Sequence, residues 1–338
     1  MHLMGIDFAP LNVPLARRLQ TLAVFHHVSM FFFAGIFGTI YLTFLLITPF
    51  FWVTWLYVAW YIYDLGQSSR GGRRFELMRR LPLWNWLRDY FPCRIIKTSD
   101  LDPTHNYLIG YHPHGLMAIG AFCNLLTEAN GFSRLFPGIT PYLLSLKLMH
   151  YFPLYREYVM SLGVCDVSKE SITHIMKGRG VAATIVIGGA REVLDAVPGV
   201  TRLTLKNRKG FARMALQTGC HLVPSFSFGE NYLFRLLLDN TPGSFTRNLT
   251  QSITKKLGVA PAFFVGRGVF NYTFGIMPYR VPVTTVVGSS IEVEHTPDPT
   301  QDQVDSLHRE YLSQLESLFY AHREACGYPN ETLEFIDN

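Results

Sequence analysis

NYLIGYHPHGLMAIGAFCNLLTEA, residues Asn106–Ala129, decides how this chain is to be read. Asn106–Tyr111 is a short β-rich run, Leu116–Thr127 reads as a helix, and His112-Pro113-His114-Gly115 joins them. A strand-to-helix turn is the unit of an α/β sheet, and functional groups gather at the strand ends. The rhythm continues outward through VAATIVIGG then AREVLDA, TRLTLK then RKGFARMALQTG, and on to HLVPSFSFG and VTTVVG. Several of these runs are apolar without strict alternation, as in strands covered on both faces. One α/β catalytic domain without internal repeats is expected. Its only linker-like stretch is the polar segment from Asp239 to Ser244.

The turn itself carries the sharpest chemistry. Pro113 biases His112 to extended geometry, so imidazoles two residues apart are expected to project from one side, beside a Gly115 that lets the backbone turn closely. A nearby helix N-terminus disfavours imidazolium, which keeps a histidine neutral and able to take a proton from a hydroxyl. The competing structural reading is a pair of turn histidines at a strand end. A metal would need further ligands, and neither HExxH nor a Cys/His cluster supplies them, so none is expected. No G-x-S-x-G elbow is present for a serine acyl-enzyme.

Composition places the domain at a membrane. Of 338 residues, 49% are hydrophobic, 14% aromatic and only 16% charged. No Asp, Glu, Lys or Arg occurs between Arg18 and Asp64. As one helix, Thr21–Tyr63 would be about 65 Å long, roughly twice the hydrocarbon thickness of ~30 Å. It must cross twice or turn back, and Pro49 can break the ladder, leaving one arm ending near Ile47 and another at Tyr63. The organisation expected is a cytosolic N-terminus (1–20), a transmembrane helical hairpin (21–63) whose second arm crosses or is re-entrant, and a cytosol-facing domain (64–338). Arg17 and Arg18 before the hairpin, and Arg70, Arg73, Arg74, Arg79 and Arg80 after it, put both flanks on the cytosolic side. A cleaved signal peptide would have a far shorter apolar core. His26 and His27 then read as interfacial, and the sequons at Asn248, Asn271 and Asn330 as unmodified.

The five cysteines are widely spaced with no CxxC pair, and read as reduced, buried thiols. The net charge of +5 suits anionic headgroups or a polyphosphate ligand and is too diffuse for a nucleic-acid footprint. Val304, Leu307, Tyr311, Leu315, Leu318 and His322 recur at helical spacing behind a Thr300/Gln303 capping box, and read as a packing helix.

The HPHG turn also resembles a known family, the acyl-CoA:monoacylglycerol, diacylglycerol and wax-alcohol acyltransferases related to type 2 diacylglycerol acyltransferase. The resemblance runs from FAPLN at Phe8 through YFP (Tyr90–Pro92), LDP (Leu101–Pro103), FPG (Phe136–Gly138) and REYVMSLG (Arg156–Gly163). It continues in IGGAREVLDA (Ile187–Ala196), RKGFARMAL (Arg208–Leu216), LVPSFSFGEN (Leu222–Asn231), GRGVF (Gly266–Phe270) and VTTVVG (Val283–Gly288). It implies a glycerolipid-acyltransferase-like α/β fold and acyl transfer from acyl-CoA to a lipid hydroxyl at the endoplasmic reticulum, with His112 and His114 in the active centre. Acyl-CoA would be a co-substrate, with no resident cofactor. The partners implied are monoacylglycerol and membrane lipids, with a homo- or hetero-oligomer with other lipid-synthesis enzymes left open.

One departure matters. Wider glycerolipid acyltransferases carry His-x4-Asp, but Met117 and Ile119 stand five residues after His112 and His114. Glu192 in GGARE is the candidate for the orienting carboxylate; otherwise it is a solvated first-turn glutamate. Arg208, Lys209 and Arg213 are candidates for the coenzyme A phosphates, against a plain basic face. Glu230 and Asn231 either line the site or form a turn. His114 is favoured over His112 as base. The compact N-terminus is most similar to monoacylglycerol acyltransferases, so monoacylglycerol is the expected acceptor, with diacylglycerol or a wax alcohol as alternatives. In another class stands a catalytically silent, lipid-binding hairpin protein, which would have no need of HPHG and GGARE together.

Overall fold

A computed structural model describes residues 2–3, 5–10, 12–237, 244–257 and 263–337; apart from Ser244, the polar stretch expected as a linker lies outside them. The chain begins with a long helix, α1 (Leu15–Leu45), followed by α2 (Phe51–Tyr63). Between them lies Pro49, whose ring and missing N–H stop the ladder. The Thr48 hydroxyl donates to the Leu45 carbonyl at 2.8 Å and closes the first helix. The break comes two residues before the expected Ile47. The chain then reverses, and the buried Thr54 hydroxyl donates to the Leu42 carbonyl at 2.8 Å.

Among the described residues only α1, at 31 residues, is long and apolar enough to cross a membrane. The 13 residues of α2 span about 20 Å. The first half of α1 packs into the domain. Ala23, Val24 and Val28 are fully buried in one core with Trp84, Leu87 and Phe122, against helix α3 (Pro82–Tyr90). His27, expected at an interface, is buried there, its ring 4.4 Å from that of Phe122.

The sheet has seven strands: β1 (Cys93–Lys97), β2 (Tyr107–His112), β3 (Thr140–Ser145), β4 (Val164–Asp166), β5 (Val181–Val186), β7 (His221–Phe228) and β8 (Val283–Val287). β6 (Val200–Thr204) pairs instead with β9 (Thr332–Ile336). The order across the sheet is β1-β8-β7-β2-β5-β3-β4. From β7 to β4 neighbours are parallel, and β8 joins β7 antiparallel. Every residue of β2 is buried, as the central strand of a sheet covered on both faces requires. On one face pack α6 (Gly210–Thr218) and α8 (Gln301–His322), with Phe211, Leu307, Tyr311 and Leu315 in the core. Ala121, Leu125, Phe132 and Phe136 cover the other. Thr300 and Gln303 form the expected capping box of α8. Cys93, Cys123, Cys165 and Cys220 are buried free thiols and Cys326 is half-buried.

The segment after HPHG departs from expectation. The helix expected over Leu116–Thr127 starts late: residues 115–117 form turns, and helical backbone begins at Ile119 and continues as a π-helical stretch, Ala121–Leu126. Gly115 and Ala118 adopt positive φ of 55° and 51°, which an α-helix cannot accommodate. AREVLDA likewise winds as a 3₁₀ segment, Gly189–Asp195.

Candidate active site

Three adjacent parallel strands deliver the site. β2 ends at His112, β5 runs into the GGARE turn that bears Glu192, and β7 runs into the turn that bears Glu230. Their registers place Tyr111 against Val186 on one side and Ser225 on the other, so the three carboxyl ends lie side by side. This is where an open α/β sheet presents its functional groups.

The two histidines, expected to act as a pair, are held in different ways. His112 is fully buried; its Nε2 lies 3.0 Å from the Tyr311 hydroxyl, and its Nδ1 has no partner. Burial pushes its pKa down to about 3, so it stays neutral. His114 is part-exposed, and its Nδ1 lies 3.0 Å from the Gly115 carbonyl. A carbonyl can only accept, so the proton sits on Nδ1 and Nε2 carries a lone pair. Burial, with the Arg208 charge in support, lowers the His114 pKa from its ordinary value.

The carboxylates grip the backbone of the turn. One oxygen of Glu192 accepts from the His114 N–H at 3.0 Å and the other from the Thr204 N–H at 2.8 Å. Glu192 therefore holds the main chain of His114 and not its imidazole, which is oriented by Gly115. Glu230 accepts from the N–H groups of Ile119 at 2.7 Å and Gly120 at 3.0 Å, and from the Tyr111 hydroxyl at 2.9 Å. Those amides open the helical stretch that begins at Ile119, where a helix has no ladder partner of its own, so Glu230 caps its first turn. Burial raises both glutamates to about 7, against the pull of the amides toward the charged form. Gly115 is required here, since a Cβ would lie 2.6 Å from Glu230 Cγ. Asn231 is buried beside Glu230 with its Oδ1 unpartnered.

The three basic candidates separate. Arg208 is half-buried beside Gly189 and donates to the Ile187 carbonyl at 2.9 Å, within reach of the fields of Glu192 and His114. Lys209 pairs instead with Asp305 at 2.8 Å, and Arg213 donates to Gln301 at 2.8 Å. Lys209 and Arg213 therefore brace the start of α8.

Tyr311 was missed from sequence because it recurs at helical spacing with Leu307 and Leu315 and reads as core. A signal existed in Gly110, inside a strand, where glycine marks a close approach. A Cβ there would lie 2.7 Å from Ile187 Cδ1 and 2.8 Å from Tyr311 Cζ. Tyr111 reads equally as core until its hydroxyl is seen on Glu230.

Comparison with known proteins adds a family. A family model described as diacylglycerol acyltransferase matches residues 43–336. The chain is similar to 2-acylglycerol O-acyltransferase 1 of Bos taurus, 46% identical over 336 residues that cover 98% of this chain and 100% of that one. It is similar to diacylglycerol O-acyltransferase 2 of Homo sapiens, 41% identical over 322 residues, 94% of this chain and 83% of that one. The crystal structure of the 1-acyl-sn-glycerophosphate (LPA) acyltransferase PlsC from Thermotoga maritima covers 89% of this chain and 97% of its own at 11% identity and a TM-score of 0.40, too slight a likeness to carry an argument.

Proposed function

The chain belongs to the diacylglycerol acyltransferase family, and from that premise we propose that it transfers a fatty acyl group from acyl-CoA to a monoacylglycerol hydroxyl, giving diacylglycerol. The observation that carries the chemistry is the His114 ring, with Nδ1 engaged by its neighbour's carbonyl and Nε2 left as a lone pair. His114 Nε2 takes the hydroxyl proton as that oxygen attacks the thioester carbonyl; the C–O bond forms, the C–S bond breaks, and the thiolate leaves. The imidazolium returns the proton to the thiolate. Glu192 and Glu230 clamp the turn from both sides, so His114 meets the acceptor in one geometry. Arg208, whose charge acts on both His114 and Glu192, suits a phosphate of coenzyme A.

The membrane reading follows from α1 and α2. Their exposed faces from Ile36 to Ile62 are apolar, and the Thr54 bond to Leu42 folds the second arm back along the first. We read them as a hairpin embedded from the cytosolic face of the endoplasmic reticulum, α2 being re-entrant, with the domain after residue 64 in the cytosol. The 41% identity to a protein named diacylglycerol O-acyltransferase 2 keeps diacylglycerol as the second acceptor.

The test is acyl transfer in microsomes with labelled oleoyl-CoA, offering 2-monoacylglycerol, diacylglycerol or a long-chain alcohol separately. Diacylglycerol forming fastest, with His114→Ala silent at normal protein level, is the expected result. Triacylglycerol or wax ester forming fastest moves the acceptor. No labelled product from a well-expressed wild type returns the chain to a lipid-binding scaffold.

A further inference from the structure

A loop of the domain packs against both α1 and α2. The segment Lys147–Leu154 leaves the sheet after β3 and wedges between the two arms. On the α1 side, a Cβ at Gly35 would lie 2.7 Å from Phe152 Cγ and one at Gly38 2.6 Å from the Pro153 carbonyl oxygen, so both glycines are needed to seat the loop. On the α2 side, the Tyr61 hydroxyl donates to the Tyr151 carbonyl at 3.0 Å, and the Leu154 N–H donates to the Tyr57 hydroxyl at 2.8 Å.

We infer that this loop enters the lipid bilayer alongside the hairpin and is a third membrane-contacting element, its partner being phospholipid acyl chains. The inference rests on the reading of α1 and α2 as bilayer-embedded. Three observations carry it. First, the loop touches α1 and α2 within their uncharged stretch, at Gly35, Gly38, Tyr57 and Tyr61. Second, its outward side chains are apolar: Leu148 is 41% exposed, Tyr151 49% and Leu154 40%. Third, its backbone is satisfied as a low-dielectric setting demands: Lys147–Tyr151 winds as a 3₁₀ helix, and only Phe152–Leu154 is irregular. Non-helical backbone at membrane depth persists only where protein groups pair it. Where the 3₁₀ helix ends, Tyr61 pairs the Tyr151 carbonyl, Tyr57 pairs the Leu154 N–H, and Pro153 has no N–H to satisfy. Leu154 is held at a φ of 63°, uncommon for a leucine, with its N–H on Tyr57.

Charge marks where the loop returns to the domain. α4 (Tyr155–Leu162) starts there, and the buried Arg156 donates to Asp64 Oδ2 at 2.7 Å, just past the end of α2. Arg73 pairs with the same carboxylate, and Glu157 accepts from Arg156 and from Tyr57, both at 2.8 Å. Lys147, exposed at the other end, can reach the headgroups along its aliphatic stem. The apolar tip thus lies between two polar collars, as an interfacial insertion does.

The experiment uses the full chain with Cys326→Ser, reconstituted in phosphatidylcholine vesicles. Spin labels are placed singly at Leu148→Cys, Leu154→Cys, Ile40→Cys and Tyr320→Cys, all exposed positions. Collision rates with oxygen and with a water-soluble nickel chelate are compared at each. Oxygen dominant at Leu148, Leu154 and Ile40, with nickel dominant at Tyr320 on α8, is the expected pattern. Nickel dominant at Leu148 and Leu154 while oxygen dominates at Ile40 overturns the loop insertion and leaves the hairpin intact. Nickel dominant at Ile40 as well overturns the membrane reading of the hairpin, and this inference falls with it.

Discussion

The Tyr311 hydroxyl lies 3.0 Å from His112 Nε2, tying the C-terminal helix to the end of the central strand 199 residues earlier. The bond gives the buried imidazole its one partner and sets where the HPHG turn begins. It separates two histidines that look equivalent in sequence, His112 being buried and anchored and His114 part-exposed with its ring held only by Gly115.

Tyr311→Phe keeps the ring and deletes the bond, leaving His112 with neither nitrogen satisfied. Stability should fall by about 1–3 kcal/mol, with kcat lowered more than KM because the turn loosens. Gly110→Ala forces Tyr311 off the strand and should lower stability by about 1–3 kcal/mol. Because both changes break one contact, the double variant should be less destabilised than the sum, measured by thermal unfolding in detergent.

His114→Ala should lower kcat about 10²–10⁴-fold while the chain stays folded, since the removed ring is part-exposed and makes only a local bond. His112→Ala should instead lower the thermal midpoint first. Activity per folded molecule separates the two, and equal losses for well-folded variants would contradict the assignment.

Activity should fall in acid as His114 protonates. Its pKa is lowered by burial and by Arg208, so the acid limb of kcat/KM should lie below the ordinary histidine value of about 6.5. Arg208→Gln should move that limb upward and raise KM for acyl-CoA. Lys209→Gln and Arg213→Gln, whose partners are Asp305 and Gln301, should leave both nearly unchanged.

Stability should carry the opposite signature of the two glutamates. Each holds its proton more tightly when folded, with a pKa raised from 4.5 to about 7. Their contribution is therefore complete below the unfolded value and is lost as pH rises through about 7. Glu230→Gln cannot accept from both Ile119 and Gly120, so it should be less stable throughout. The gap to wild type should nevertheless narrow between about pH 5 and 7.5, read from thermal midpoints at each pH. A constant gap would place the Glu230 titration elsewhere.

Much of this was legible along the chain. Apolar runs free of alternation mark buried parallel strands, Pro49 marks the break between α1 and α2, and Thr300 with Gln303 marks the start of α8. Each reflects a constraint acting over a few residues: a period, a fixed φ, a missing donor. The segment after Gly115 is the instructive failure. Its composition is helical throughout, yet helical backbone begins only at Ile119, where Glu230, over a hundred residues away, caps the first amides.

The sequence by itself determined that an α/β domain sits behind an uncharged apolar stretch, and that a stiff His-Pro-His-Gly turn closes its central strand. The tertiary structure decided which histidine is buried and which part-exposed, what Glu192 and Glu230 hold, which basic residue stays near the turn, and that Tyr311 meets His112. The reason is physical. Local pattern records what the backbone can do, whereas a hydrogen bond between residues 78 to 199 positions apart exists only once the strand order has placed β5, β2 and β7 side by side.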